Sequence, residues 1–241
     1  LGESPYRELL ALAGAARARR VANGAVEIDL PEVKVRVRDD GQVAITPLPP
    51  LRSRELVREA MLTAGEAIGR LAAARGLPLV FTHQEPPQEV ESPAGGLAGM
   101  FAQRRAMQRS QPRVAPGRHA GLGLDVYVQA TSPLRRYGDL LNHQQLRAHL
   151  RGEPPLDAGE MTLRLGMADA VAGAVRTAER LSNAHWAMVY LLQNPHWTGE
   201  GVVVEQKPGR EVVLIPALAI ETELYGRKPR PLNSMVRLAV E

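Results

Sequence analysis

Residues 127–139 of this 241-residue chain read YVQATSPLRRYGD. Ser132 followed by Pro133 is typical of a helix start, because serine caps helix amino termini and proline fits the first helical position. A helix beginning there would hold Arg135 and Arg136 in its first turn, where the helix dipole disfavours cations by roughly 0.3–1 kcal/mol each. Two arginines beside unsatisfied backbone N–H groups are explained if an anion completes the site, and phosphate is the natural candidate. The alternative is that both arginines project into solvent or meet acidic side chains elsewhere in the fold.

The charge of the chain also favours a polyanionic partner. The net charge is +4 and the isoelectric point is about 9.7. Three of the 30 basic residues are lysines, so arginine, which suits bidentate recognition of phosphate, supplies 27 of them. A GC-rich genome would enrich arginine in the same way without a functional reason. However, no acidic residue occurs between Glu91 and Asp125, a segment with five arginines, and such a segment has the electrostatic footprint of a polyanionic partner. Tyr127 and Tyr137, which flank the arginine pair, are suited to stacking on bases.

Composition excludes several other classes of protein. The chain has no cysteine, which excludes a disulfide scaffold, a thiol nucleophile and a cysteine-ligated metal site. No apolar run approaches the roughly 18 residues that a membrane-spanning helix needs, and the amino terminus lacks the pattern of a signal peptide. We therefore expect a soluble cytoplasmic protein with no membrane partner.

The hydrophobic pattern along the chain predicts an α+β fold. Helices are predicted at residues 4–20, 54–75, near 97–109, 133–150 and 159–193. Short strands are predicted at residues 26–30, 33–37, 42–46, 124–129, 201–205, 211–216 and 235–240. The composition changes at Pro195, which suggests one domain over residues 1–194 and a second, small β-barrel-like domain over residues 195–241.

Residues 127–146 closely resemble the signature of the RNase II (RNB) exoribonuclease family, approximately Y-x-x-x-T-S-P-[IL]-R-[RK]-Y-[AG]-D-x-x-x-H-x-x-L. Residues 54–64 are similar to the E-E-x-M-x-x-A-N helix of that family, and residues 24–30 resemble its G-A-L-x-[LF] hairpin. Residues 177–180 resemble the A-E-R of its late helix. The resemblance covers about residues 5–194, and it implies part of an RNB catalytic domain followed by an RNA-binding OB-fold, here short or incomplete.

The resemblance implies a 3′→5′ hydrolytic exoribonuclease. Such an enzyme acts processively on single-stranded RNA with magnesium and releases nucleoside 5′-monophosphates. Arg135 matches the arginine that contacts the scissile phosphate and stabilises the charge developing there. The RNA-contacting positions implied around it fall into two groups: Ser132, Arg136 and Tyr137 near the terminal phosphates, and Glu59 and Glu179 near the sugars or bracing the arginines.

The chain also departs from the family pattern. The aspartate cluster D-x-x-x-x-x-D-x-D-D, which holds magnesium in the family, does not occur here, and Asp39-Asp40 is predicted to form a hairpin turn instead. We therefore expect the Mg²⁺ ligands to lie outside this chain, in the amino-terminal half of the same enzyme, which would act as a monomer. Arg58 and Gly65 replace the first glutamate and the asparagine of the E-E-x-M-x-x-A-N helix.

The sequence leaves two other functions open. The first is a catalytically silent RNA-binding protein or fragment that keeps the RNA path but lacks the metal site. The second is a hydrolase triad of Ser132, Asp139 and His143. The triad is disfavoured because Ser132, at the predicted cap, would lie about two turns from His143 along the helix axis.

Overall fold

The computed structural model describes residues 5–88, 95–226 and 228–240. Five helices and eight strands follow one another in that part of the chain. In order they are α1 (Pro5–Ala22), β1 (Val33–Val37), β2 (Val43–Pro47), α2 (Arg52–Arg75), β3 (Phe81–His83), α3 (Gly96–Ala106), β4 (Gln111–Arg113), α4 (Tyr137–Arg151), α5 (Ala158–Gln193), β5 (Thr198–Lys207), β6 (Arg210–Ile215), β7 (Ile220–Tyr225) and β8 (Met235–Ala239). A 3-10 turn at Ala120–Leu122 precedes the signature segment.

Two compact units divide these elements. The first contains the described residues of Leu1–Val26, Pro50–Gln88 and Met107–Gly173, and the second contains those of Glu27–Pro49, Glu89–Ala106 and Ala174–Glu241. The first unit therefore holds the signature segment, and the second holds the strands of the carboxy-terminal tail. The boundary predicted at residue 195 remains an expectation from composition.

The core of the first unit forms where α2 packs against two extended segments. Leu79, Phe81 and Val128 are almost completely buried there and pack with Ala72 of α2. The helix ends at Gly76, whose φ of 62° is in the left-handed region that glycine adopts without strain. This stop turns the chain directly into the buried segment that leads to β3.

Amide side chains attach α4 to the same core. Asn142 accepts a hydrogen bond from the Val80 N–H at 2.7 Å and donates to the Gln129 carbonyl at 2.9 Å. Gln145 donates to the carbonyls of Pro78 and Leu156, each at 2.9 Å. Since buried amides are costly unless they are paired, these contacts fix the position of α4 against the chain before β3.

The second unit is built on a four-stranded antiparallel sheet with the strand order β7-β6-β5-β8. Phe101 of α3 packs on one face of this sheet against Val202, Val204, Val212 and Leu214. Asn233 holds the start of α3, because its side chain accepts from the Ala98 N–H at 2.9 Å and donates to the Gly95 carbonyl at 2.8 Å. The described tail thus contains four strands, and the OB-fold implied by the resemblance remains an expectation.

The α+β class and the five predicted helices are confirmed, but two predicted strands differ. Residues 26–30 and 124–129 lie outside the regular strands. Segment 124–129 makes only isolated bridges, and its backbone bonds go elsewhere: the Val128 N–H donates to the Gly65 carbonyl of α2. Within the part of the chain that the structure describes, no helix combines the length and the apolarity needed to cross a bilayer.

Gly65 permits the close approach between α2 and the signature segment. A Cβ added there would lie 2.5 Å from Tyr127 Cε2 and would also meet the Val128 carbonyl oxygen. We expect Gly65→Ala to lower the free energy of unfolding by about 1–3 kcal/mol, because the backbone at Val128 would have to move.

Urea denaturation of Gly65→Ala and of Gly14→Ala measures this effect. Gly14 lies in α1, where an added Cβ meets nothing within 4 Å, so its substitution should stabilise the chain by roughly 0.5–1 kcal/mol. Equal effects of the two substitutions would contradict the packing described for Gly65.

Candidate functional site

The signature segment forms a tight turn before α4 rather than the first turn of a helix. The carbonyl of Ser132 accepts hydrogen bonds from the N–H groups of Arg135 and Arg136, at 3.2 and 3.0 Å. Pro133 then occupies the second position of the turn, which suits its fixed φ. The prediction that Ser132 caps a helix and that both arginines lie in its first turn was therefore wrong. Helix α4 begins at Tyr137, after both arginines, and no side chain caps it.

Asp139 fixes this turn from inside the protein. Its side chain is 1% exposed, and Oδ2 accepts hydrogen bonds from the Ser132 N–H at 2.8 Å and from Arg136 Nη2 at 2.6 Å. The carboxylate therefore balances the charge of Arg136 and holds the start of the turn. Arg136 Nε is buried and has no acceptor among the described residues.

Arg135 differs from its neighbour. Its side chain is exposed, and no hydrogen bond or ion pair joins it to any other described residue. One arginine of the pair thus meets an acid, as the alternative interpretation of the sequence expected, while the other keeps an uncompensated charge. An uncompensated guanidinium beside an uncapped helix start is suited to bind an anion.

Tyr127 lies beneath this turn and not on its surface. The side chain is 9% exposed and packs edge-on against His119, with ring centroids 5.8 Å apart. Burial raises the pKa of Tyr127, while the positive charge of Arg136 lowers it. The phenol is therefore within electrostatic reach of Arg136, but its buried ring offers no open face to a base.

Glu59 belongs to a buried ion pair. It is 2% exposed, and both of its carboxylate oxygens accept hydrogen bonds from Arg20 of α1, one of them from Nε at 3.1 Å. Arg20 Nη1 also donates to the Leu122 carbonyl at 3.2 Å. The pair therefore joins α1, α2 and the 3-10 turn that leads to Tyr127.

A second ion pair joins the same two helices nearer the surface. Glu66 of α2 accepts from Arg19 Nη1 at 2.8 Å and from Arg70 at 2.7 Å. The hydrogen bond from Arg19 lowers the pKa of Glu66, although burial opposes this shift. Glu66 therefore remains ionised at neutral pH and adds to the contact between α1 and α2.

The remaining predicted site residues lie in different surroundings. Tyr137 is the first residue of α4 and is 45% exposed. Glu179 is exposed in the part of α5 that belongs to the second unit. By helical spacing it shares a face with Ala172 and Trp186, which are partly buried. The structure thus brings Ser132, Arg135, Arg136 and Tyr137 into one segment, and Tyr127 and Glu59 into the same unit.

The basic segment between Glu91 and Asp125 is partly compensated in the fold. Arg105 pairs with Glu205 at 2.8 Å, within the second unit. Arg118 approaches Asp125 at 3.5 Å, within the first. The absence of acids in this stretch of sequence therefore overstates the positive charge that it presents to a partner.

The possible hydrolase triad does not form. His143 Nε2 lies 2.7 Å from the Ala130 carbonyl oxygen, and the Asp139 carboxylate is occupied by Arg136 and by the Ser132 N–H. Ser132 therefore has no general base beside it, and the structure gives no support to the hydrolase triad.

The described residues do not fit a magnesium site. Among them, no three histidine, cysteine, aspartate or glutamate side chains come close enough to hold a metal ion. Glu59 and Asp139, the most deeply buried carboxylates of the first unit, already bind arginines. The residues that the structure describes therefore offer no ligand set for Mg²⁺.

Reasoning from the sequence missed the roles of Arg20 and Asp139. Asp139 is part of the quoted signature, but its hydrogen bond to a residue seven positions earlier requires the turn to be known. For Arg20 the available signal was a basic residue in the last turn of a helix, and that pattern more often marks a solvated helix end.

Comparison with known proteins identifies the class of protein to which this site belongs. The RNB domain family matches residues 3–93 and 99–152, which is more than half of the chain. The chain therefore belongs to the RNB family.

Individual relatives agree with this assignment. The chain is 36% identical over 247 residues to an uncharacterized ribonuclease of Synechocystis, a match that covers 98% of this chain and 37% of that protein. The chain thus spans little more than a third of the length of that relative. Mycoplasma genitalium RNase R in complex with ribose-methylated single-stranded RNA has a similar structure, with a TM-score of 0.78 at 16% identity, over 98% of this chain and 47% of the other. Yeast Ssd1, a pseudonuclease, matches with a TM-score of 0.67 at 16% identity, over 94% of this chain and 34% of the other. The two structural likenesses show the fold.

Breaking the Arg20–Glu59 pair should be costly. Glu59→Gln leaves Arg20 charged and buried without its counter-ion, so we expect it to lower the free energy of unfolding by about 3–5 kcal/mol. Glu55→Gln is the matched control, since Glu55 pairs with Arg17 across the same two helices but both side chains are more than a third exposed. The control should cost about 0–1 kcal/mol. Urea denaturation measures both, and a Glu59→Gln effect as small as the control would contradict the buried pair.

His119 should make stability depend on pH. Burial lowers the pKa of His119 from 6.5 to about 4. Because the unfolded chain takes up the proton first, stability is fully present above pH 6.5 and declines as the pH falls from there towards 4. We expect the urea midpoint of the wild type to fall between pH 7 and pH 5, and that of His119→Gln to fall less. His196→Gln, at an exposed position, should behave like the wild type. An unchanged decline in His119→Gln would exclude this explanation.

Proposed function

We propose that this chain is the phosphate-binding part of an RNB-type 3′→5′ exoribonuclease. The complete enzyme would hydrolyse single-stranded RNA processively from its 3′ end and release nucleoside 5′-monophosphates. The observation that carries the proposal is the contrast within the arginine pair: Asp139 compensates Arg136, whereas Arg135 is exposed and unpaired among the described residues.

The contacts around the turn support a defined role for each residue. The unpaired guanidinium of Arg135 would contact the scissile phosphate and stabilise the negative charge that develops on it. Arg136, held by Asp139, would contact a neighbouring phosphate, and Ser132 and Tyr137 would border it on either side of the pair. Since the turn is already fixed by buried hydrogen bonds, little reorganisation would be needed when the RNA binds.

The other predicted residues take supporting roles in this proposal. Tyr127 is buried against Gly65, so it would position the turn rather than stack on a base. Glu59, bound to Arg20, would brace the same region from α2. Glu179, which is exposed, keeps the proposed contact with a sugar of the RNA.

Magnesium would be bound outside this chain. The family resemblance implies a metal-dependent hydrolysis, and the described residues supply no ligand set for it. In the complete protein we assign the metal ligands to the aspartate cluster of an amino-terminal half, and we assign RNA positioning and charge stabilisation to the residues described here. We propose that the complete enzyme acts as a monomer in the cytoplasm.

A catalytically silent RNA-binding protein is the second candidate. Two observations favour it: the described residues offer no metal site, and the fold also occurs in a pseudonuclease. A gel time course of the complete protein with 5′-labelled single-stranded RNA and magnesium, with EDTA as control, separates the two candidates. Progressive 3′ shortening that EDTA blocks supports the exoribonuclease, binding without shortening supports the silent protein, and no binding at low salt contradicts both.

The role of Arg135 has its own test. In the complete enzyme, Arg135→Ala should lower kcat by roughly 10²–10³-fold with a much smaller effect on RNA affinity, because the lost interaction strengthens in the transition state. Arg147→Ala is the matched control, an exposed arginine of α4 farther along the helix, and it should leave kcat unchanged. Single-turnover kinetics and equilibrium binding measure the two quantities. Equal losses of turnover and affinity in Arg135→Ala would overturn the assignment.

A further inference from the structure

One face of the β1–β2 hairpin in the second unit carries a row of cations. The row consists of Lys34, Arg36 and Arg38, which alternate with single valines, and all three are exposed. Alternate residues of a strand point to the same side, so Lys34 and Arg36 of β1 lie on one face of the hairpin. Arg38 directly follows β1, and its N–H donates to the Gln42 carbonyl at 2.9 Å, which extends the pairing of the two strands by one residue. Among the described residues, none of the three has an ion-pair or hydrogen-bond partner for its side chain. We call these three residues the basic ribbon.

The residues opposite the basic ribbon do not compensate its charge. Lys34 faces Thr46 and Arg36 faces Ala44 in the antiparallel register, and the Arg38 N–H donates to the carbonyl of Gln42. All three opposing side chains are uncharged, and two are small. The nearest acids in sequence are Glu32, two positions before Lys34, and Asp39 and Asp40 of the turn. Asp40 accepts a hydrogen bond from the Gln42 N–H. The hairpin therefore presents three exposed cations whose cross-strand neighbours carry no charge.

The hairpin is held in a fixed position, so the row of cations is preorganised. Val43 is buried and Val35 and Ile45 are half-buried on its other face. Gln193, at the end of α5, accepts from the Val43 N–H and donates to the Gly41 carbonyl, each at 2.9 Å. Before β1, Leu30 packs with the core beneath the four-stranded sheet. An isolated two-stranded hairpin is marginally stable. These contacts stabilise the β1–β2 hairpin and limit its motion.

We propose that the basic ribbon binds the phosphate backbone of single-stranded RNA, as a contact separate from the Arg135 turn. Alternate residues of an antiparallel strand repeat about every 6.8 Å, on the order of the separation of successive phosphates in an extended strand. One cation would meet one phosphate along three consecutive nucleotides, without reading the bases. The choice of RNA as the polyanion rests on the proposed function. The positions of the three cations do not depend on it.

Charges on edge strands have another common use, because they discourage strands of different molecules from pairing. That use needs charge at the edge but no defined contact with a phosphate. The two roles therefore differ in how binding responds to salt. Each phosphate contact on a single strand contributes about 0.7 to the slope of the logarithm of the binding constant against the logarithm of salt concentration.

The test compares two triple variants of this chain that lose the same charge. One carries Lys34→Gln, Arg36→Gln and Arg38→Gln. The control carries Arg7→Gln, Arg52→Gln and Arg75→Gln, at exposed helical positions of the first unit. Fluorescence anisotropy with labelled oligouridine over a range of salt concentrations gives the slope for each. We expect the ribbon variant to lose roughly 2 from the magnitude of the slope, for three contacts, and the control to lose much less. Oligoadenosine should give the same difference, because phosphate contacts are independent of the base.

The outcomes separate this proposal from the proposed function. Equal slopes for the two variants, while the wild type binds oligouridine, would overturn the basic ribbon alone and leave the Arg135 turn untouched. Aggregation of the ribbon variant with an unchanged slope would assign the three cations to edge protection. Failure of the wild type to bind oligouridine at low salt would contradict the proposed function together with the ribbon.

Discussion

The carboxylate of Asp139 holds together the segment on which the site depends. It is buried, and a buried carboxylate is tolerated only when charge and hydrogen bonds compensate it. Arg136 supplies the charge and the Ser132 N–H supplies a second hydrogen bond. The same acid therefore closes the turn and compensates the charge of Arg136. Arg135 is left as the uncompensated cation beside the start of α4. Without this carboxylate, Arg136 would lose its counter-ion and the Ser132 N–H would lose its acceptor.

The surroundings of the turn explain why it does not depend on Asp139 alone. Asn142 and Gln145 of α4 bind backbone groups on the chain before β3, and Gly65 lets the segment at Tyr127 lie directly on α2. Behind them, Arg20 joins α1 to α2 and to the 3-10 turn. Polar contacts thus carry much of the architecture in this unit, because each buried donor or acceptor specifies one partner, whereas an apolar contact specifies only proximity. Arg135 and Tyr137 are exposed, but the side chains that support the turn are buried.

The sequence predicted the elements of this structure better than it predicted the contacts between them. Helices α2 and α5 followed from apolar spacing and from stop signals such as Gly76, which act over one or two turns. The signature segment was correctly singled out, but its conformation was not, since Ser132-Pro133 is equally compatible with a turn and with a helix start. The choice depends on Asp139 and on what packs beneath it. Gly65 was visible as a departure from the family pattern, but its cause, the ring of Tyr127, lies 62 positions away in the numbering and becomes apparent only in the fold.

Asn233 illustrates how far such long-range contacts extend. The amide side chain that holds the start of α3 comes from a residue 135 positions after Ala98, and the strands on which Phe101 packs are also made late in the chain. During synthesis, α3 leaves the ribosome long before Asn233 and the strands of the four-stranded sheet exist. Because chains are made from the amino terminus and closing a long loop costs entropy before the contact repays it, we expect α3 to dock only after the sheet has formed. Until then its apolar face is exposed, and this is the interval in which a chaperone would find the chain.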